Sequence, residues 1–168
     1  VCLGQPAQCP LVDDETGHRG MSMSLWANIP HDLDTRETYL VDTGGDDVGT
    51  PGIAIKVKGS VNGAKDSQQV SVLVSTGPLY WRVILSGMTI PNSWNNIGFR
   101  WSPDQDPVEK VTFGLQVFVN GSSVAWKRSA TPSEVTVEPE STKAGIKMCL
   151  GCKLDGTGST KSRLDNFA

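Results

Sequence analysis

The chain is 168 residues long, which suits one domain and is enough to bury about two-thirds of the surface its unfolded form exposes. Hydrophobic residues make up 38% and charged residues 20%, which excludes a disordered chain. A formal charge of −3 gives no general attraction to nucleic acid, and no apolar run reaches the ~20 residues of a membrane-spanning helix.

The first residues, Val1-Cys2-Leu3-Gly4, lack the charged region and long apolar stretch of a secretion signal. The last, Leu164-Asp165-Asn166-Phe167-Ala168, read as the middle of a strand. The expectation is a single domain, residues 1–168, cut from a larger extracellular protein. From Met21 onward the dominant signal is alternation. Met21, Met23, Leu25, Ala27 and Ile29 alternate with Ser22, Ser24, Trp26 and Asn28. Ile53, Ile55 and Val57 follow, then Val70, Val72 and Val74, then Ile97, Phe99 and Trp101, then Leu115, Val117 and Val119, and last Ile146, Met148 and Leu150. Successive side chains on a strand point to opposite faces, so each segment is expected to bury one face and wet the other. Antiparallel sheets tolerate a wet face; parallel sheets generally do not. Ser133-Glu134-Val135-Thr136-Val137-Glu138 comes nearest to helical spacing, but its β-branched residues favour a strand. Turn-rich stretches separate the segments, among them Thr43-Gly44-Gly45-Asp46-Asp47, Gly59-Ser60-Val61-Asn62-Gly63, residues 102–107 and residues 155–160. The pattern predicts an all-β, antiparallel two-sheet sandwich.

Four cysteines form two close pairs, Cys2/Cys9 and Cys149/Cys152. Three connectivities are possible, and close spacing favours the local bridges. The spacing is not a usual zinc-ligand pattern. A redox Cys-x-x-Cys sits at a helix N-terminus, whereas Cys149 follows the strand-like Ile146-Lys147-Met148. Structural disulfides in an oxidising compartment are the expectation.

Asn120-Gly121-Ser122 is a sequon for N-glycosylation, and Asn-Gly is also a hairpin dipeptide, so Asn120 is expected at an exposed tip. Lys56/Lys58 and Lys161/Arg163 read as solvent-facing strand residues.

Two blocks resemble a known family. They are Ser93-Trp94-Asn95-Asn96-Ile97-Gly98-Phe99-Arg100-Trp101 and, further on, Gly114-Leu115-Gln116-Val117-Phe118-Val119-Asn120-Gly121. This tandem resembles the central strands of laminin-G/pentraxin-like domains, which are concanavalin A-like jelly rolls. Met23-Ser24-Leu25-Trp26 resembles the early strand of that family, and Arg163-Leu164-Asp165-Asn166-Phe167-Ala168 the closing one. The pair Cys2-x6-Cys9 before the first core strand looks like that of pentraxin-like domains in adhesion-receptor ectodomains. The resemblance implies a non-catalytic extracellular recognition or adhesion module whose partner is a protein or a glycan. The alternative is a structural module that associates with its own copies. Trp94 and Trp101 are expected in the core. Trp26 falls on the polar side of its strand, and an exposed Trp there, or at Trp126, marks a contact with sugar or protein.

Glycoside hydrolases share the jelly-roll fold, but their paired carboxylates come from one strand in an E-x-D-x-x-E pattern that this sequence lacks. Glu134, Glu138 and Glu140 have the wrong spacing, and His18 and His31 have no nucleophile motif beside them. No catalytic residue and no metal site is therefore expected as the main reading. Related domains often hold calcium in rim loops through six to eight oxygens. Asp42, Asp46, Asp47, Asp104, Asp106 and Asp165 are the acidic residues placed to contribute to such a site.

Overall fold

The computed structural model describes residues 20–31, 33, 36–44, 51–59, 68–105, 108, 112–132, 148–153 and 162–165. Among them are strands and no helix: β1 (Met21–Asn28), β2 (Thr38–Asp42), β3 (Pro51–Lys58), β4 (Gln69–Thr76), β5 (Leu79–Ser86), β6 (Trp94–Gln105), β7 (Thr112–Val119), β8 (Ser122–Lys127), β9 (Thr131–Pro132), β10 (Cys149–Leu150) and β11 (Arg163–Asp165). They pair antiparallel in two sheets. Sheet I runs in the order β11-β1-β6-β7-β8, and sheet II in the order β10-β2-β3-β4-β5-β9.

Alternation decides which faces meet. Met23, Leu25 and Ala27 of β1, Ile97, Phe99 and Trp101 of β6, and Leu115, Val117 and Val119 of β7 point from sheet I into one core. Ile53, Ile55 and Val57 of β3, Val70, Val72 and Val74 of β4, and Trp81, Val83 and Leu85 of β5 enter it from sheet II. Burying each such aliphatic side chain contributes roughly 1.5–3 kcal/mol before entropy is counted. Trp81 and Trp101 meet edge-to-face across the core, with ring centroids 5.2 Å apart and planes at 71°. The indole N–H of Trp81 donates to the Arg128 carbonyl at 3.3 Å, while that of Trp101 is buried with no partner. Register matches the pattern: Leu25 lies opposite Ile97, and Ile97 opposite Val119. A slip of one residue would turn every apolar side chain of a strand outward.

Five readings need correction. The alternation of Trp81, Val83 and Leu85 in β5 is not in the apolar ladders read above, because the exposed Ile84 interrupts an outer face otherwise marked by Arg82 and Ser86. Likewise β2 is short and buried from Tyr39 to Asp42, its one charged residue included, so no wet face marks it. Lys56 is not solvent-facing. Its side chain is only 10% exposed, its ammonium lies 3.1 Å from Glu37, and it sits 5.3 Å from the centre of the Tyr39 ring. Trp94, expected in the core, is 45% exposed, whereas Trp101 is buried as expected. Nor is each strand wet on one side: Ala54 and Leu73, which point away from the shared core, are also buried.

One rim is tied by side-chain amides. Buried Asn95 accepts from the Ile90 N–H through Oδ1 at 2.9 Å and donates through Nδ2 to the Ile90 and Ser93 carbonyls at 3.0 and 2.9 Å. Asn92 has φ 56°, a left-handed conformation that Asn tolerates better than most residues. Its Oδ1 accepts from the His31 N–H, and its own N–H donates to the Ile29 carbonyl. Gln68 donates to the Pro30 carbonyl at 2.7 Å and accepts from Thr89. These bonds satisfy backbone groups that no strand pairing reaches.

Candidate recognition surface

With the centre of sheet II buried on both sides, the outer face of sheet I is the open face of the described structure. It can be read row by row from the register. Asp165, Trp26 and Asn96 form one row, and Arg163, Asn28 and Trp94 the next toward the rim. In the other direction come Ser24, Gly98, Phe118 and Ser123, then Ser22, Arg100, Gln116 and Trp126. A bulge between Val117 and Phe118 resets β8 so that both Ser123 and Trp126 share this face.

Most of the face is polar, yet Trp26 is 39% exposed, Trp94 45% and Trp126 44%. Trp26 and Trp94 are diagonal neighbours on adjacent strands, about 7–8 Å apart at the backbone. Trp126 lies three strands and two rows from Trp26, a span of about 20 Å by strand spacing and rise. Half-buried Phe118 stands between them. Polar side chains fix the surround. Arg100 donates to Gln116 at 2.6 Å, and Gln116 donates on to Ser123 at 2.7 Å. The Trp126 indole N–H is held by the Phe113 carbonyl, and the Arg128 guanidinium stacks 4.0 Å from its ring centre. Such a surface combines flat apolar plates with planar hydrogen-bonding groups whose geometry is already set.

The hairpin tip behaves as the dipeptide requires. Asn120 has φ 50° and Gly121 φ 80°, the two positive values of a tight turn between β7 and β8. Asn120 is exposed. Its Oδ1 accepts from the Asn96 N–H at 2.8 Å, and its Nδ2 lies 3.4 Å from Asn95 Oδ1.

Cys149 and Cys152 are joined by a disulfide with Cα atoms 5.4 Å apart, while Cys2 and Cys9 lie outside the described residues. The acidic residues considered for calcium do not converge. Asp42 is buried in β2, where its Oδ1 accepts from the Gly44 N–H; Asp165 is on edge strand β11; Asp104 is near the end of β6. Asp46, Asp47 and Asp106 are outside the described residues, as are His18, Glu134, Glu138 and Glu140. Among the described residues no three His, Cys, Asp or Glu side chains gather as a cation site requires. Sequence reading singled out Trp26 and Trp126 but not Phe118, whose outward position depends on knowing which residues of β7 face the core. No protein-family model matches the chain, and no curated protein matches its sequence.

Proposed function

We propose that this chain is a non-catalytic extracellular recognition module of laminin-G/pentraxin-like, jelly-roll type, which engages a protein or glycan through the outer face of sheet I. The observation that carries the reading is the set of exposed tryptophans, Trp26, Trp94 and Trp126, held on a mostly polar sheet face. Large apolar side chains on a rigid surface contribute strongly to binding, because little conformational freedom is lost on contact. Two further points support it. The Cys149–Cys152 bridge suits an oxidising compartment. Strands β2 to β5 run as a meander in one sheet and β6 to β8 in the other, the arrangement expected of two facing antiparallel layers. The test is a panel of glycans and cell-surface proteins presented to the intact protein. Binding that falls at least tenfold in Trp26→Ser or Trp126→Ser, with melting temperature unchanged, supports the reading. Binding that ignores all three tryptophans overturns it.

Self-association is the second reading, and β5 favours it. Among the described residues only Leu79 and Tyr80 of that strand pair with β9, and Ile84 is 58% exposed. An edge strand with an apolar outer side chain is a template for another copy. Sedimentation from micromolar to submillimolar protein separates the two readings: a monomer throughout removes the second.

A further inference from the structure

We infer that one corner of the sheet I face takes the terminal sialic acid of a glycan, seated over Trp26 and Trp94 with its carboxylate on Arg163. This rests on the recognition reading above and narrows it to one chemical class and one place.

The polar groups of the face fall into two halves. Around Trp126 they are paired with one another. Arg100 donates to Gln116, Gln116 to Ser123, and the Trp126 indole N–H to the Phe113 carbonyl, while the Arg128 guanidinium stacks on the ring. The corner made by the rows Arg163–Asn28–Trp94 and Asp165–Trp26–Asn96 differs. Residues directly opposite one another on paired strands share a face, so the register alone sets these six side by side. Among the described residues, the Arg163 guanidinium, the Asn28 amide and the indole N–H groups of Trp26 and Trp94 donate to no protein acceptor. Asn28 is half-buried, so its amide gains most from a ligand that supplies the missing partner.

The corner is thus rich in donors and carries two apolar plates. A guanidinium holds a carboxylate through two parallel N–H bonds, and the amide and indoles add further N–H groups. Charge points the same way: Arg100 and Arg163 stand on this face against Asp165, in a chain whose formal charge is −3. Asp165 serves as an acceptor for sugar hydroxyls. By strand spacing and rise, the corner spans about 10 Å across the strands and about 7 Å along them, room for one pyranose with its substituents. Past it the polar side chains are already engaged, so a chain end fits better than the middle of an acidic polysaccharide. Sialic acid also matches both plates. The C–H groups of its ring meet one indole and its acetamido methyl meets the other, and both leave water on contact. A uronic acid has the carboxylate but no methyl for the second plate.

The experiment titrates the intact protein with 3′-sialyllactose, its methyl ester and lactose, read by tryptophan emission and by saturation-transfer NMR. Sialyllactose should bind saturably, and the ester and lactose at least about tenfold more weakly. Arg163→Gln and Trp26→Leu should each weaken binding by at least about tenfold. Arg163→Lys should weaken it less, because an ammonium keeps the charge and loses the two-bond fork. Arg82→Gln, which removes the same charge from the outer face of sheet II, should bind as the parent does. Equal binding of sialyllactose and its ester, or of the parent and Arg163→Gln, overturns the inference. So does tighter binding of a disaccharide that ends in glucuronic acid. If Trp26→Leu does not fold, the ester comparison decides, since it alters only the ligand. A panel partner that binds through the tryptophans while millimolar sialyllactose does not bind overturns this inference and leaves the recognition reading standing. No partner at all on this face overturns both.

Discussion

Two glycines at opposite ends of β7 allow a controlled measurement of steric cost. Gly114 has φ 69° and Gly121 has φ 80°, so each adopts a left-handed conformation that an L side chain resists at roughly 1–2 kcal/mol. Their surroundings differ. A Cβ at Gly121 would meet nothing within 4 Å, whereas one at Gly114 would collide with the Lys127 carbonyl and lie 2.7 Å from both the Cα and the carbonyl oxygen of Arg128. Those obstacles are backbone, so relief requires β8 to move away from β7. Overpacking of that kind costs about 1–3 kcal/mol on top of the conformational term. Gly121→Ala should therefore lose about 1–2 kcal/mol and Gly114→Ala about 2–5 kcal/mol, a large share of the ~5–15 kcal/mol typical of a domain. Urea unfolding followed by tryptophan emission measures both, since Trp81 and Trp101 are buried in the core. Equal losses at the two positions, or a Gly114→Ala protein within about 1 kcal/mol of the parent, would refute the steric account.

Trp101→Phe removes a buried N–H without a partner, so its lost packing is partly offset, whereas Trp81→Phe also forfeits a hydrogen bond; urea midpoints should show Trp81→Phe the more destabilised by about 1 kcal/mol. Glu37→Gln should destabilise more than Lys56→Met. The first leaves a largely buried ammonium with less compensation, and the second replaces it by an apolar chain of similar shape; thermal melts of both at low and high salt check the order. Replacing Cys149 and Cys152 together by Ser should cost about 2 kcal/mol, the entropy of closing so short a loop, and a chemical-unfolding difference above about 4 kcal/mol would contradict that.

The fold was legible in the sequence wherever one face of a strand is polar. Ser22, Ser24 and Asn28 mark the wet side of β1, and Asn96, Gly98 and Arg100 that of β6, so the period of two stands out. Where both faces are buried, as in β2, or an exposed apolar residue interrupts the wet side, as Ile84 does between Arg82 and Ser86 of β5, periodicity carries less information and those strands are not visible as ladders. Lys56 misled because a long charged side chain can bury its stem and still find a carboxylate, which is a property of the neighbour Glu37 and not of the local pattern. Trp94 misled for the opposite reason: residue type argues for burial, but its even position on β6 places it on the outer face beside Asn28. The candidate surface was legible only in part. Trp26 betrayed itself by falling among serines, while the row containing Phe118 and Gly98 follows from strand pairing across β6 and β7, which no local window contains.

Asn95 concentrates an unusual dependence on one atom. Its nitrogen faces the carbonyl oxygens of Ile90 and Ser93, and its oxygen faces the Ile90 N–H. Exchanging that nitrogen for oxygen, as Asn95→Asp does, would set a carboxylate against two carbonyls where water does not reach. The connection between β5 and β6 would then lose its clasp, and with it the fixed placement of Trp94 on the neighbouring face. Loosening of this rim in Asn95→Asp should thus precede any change in the layered interior.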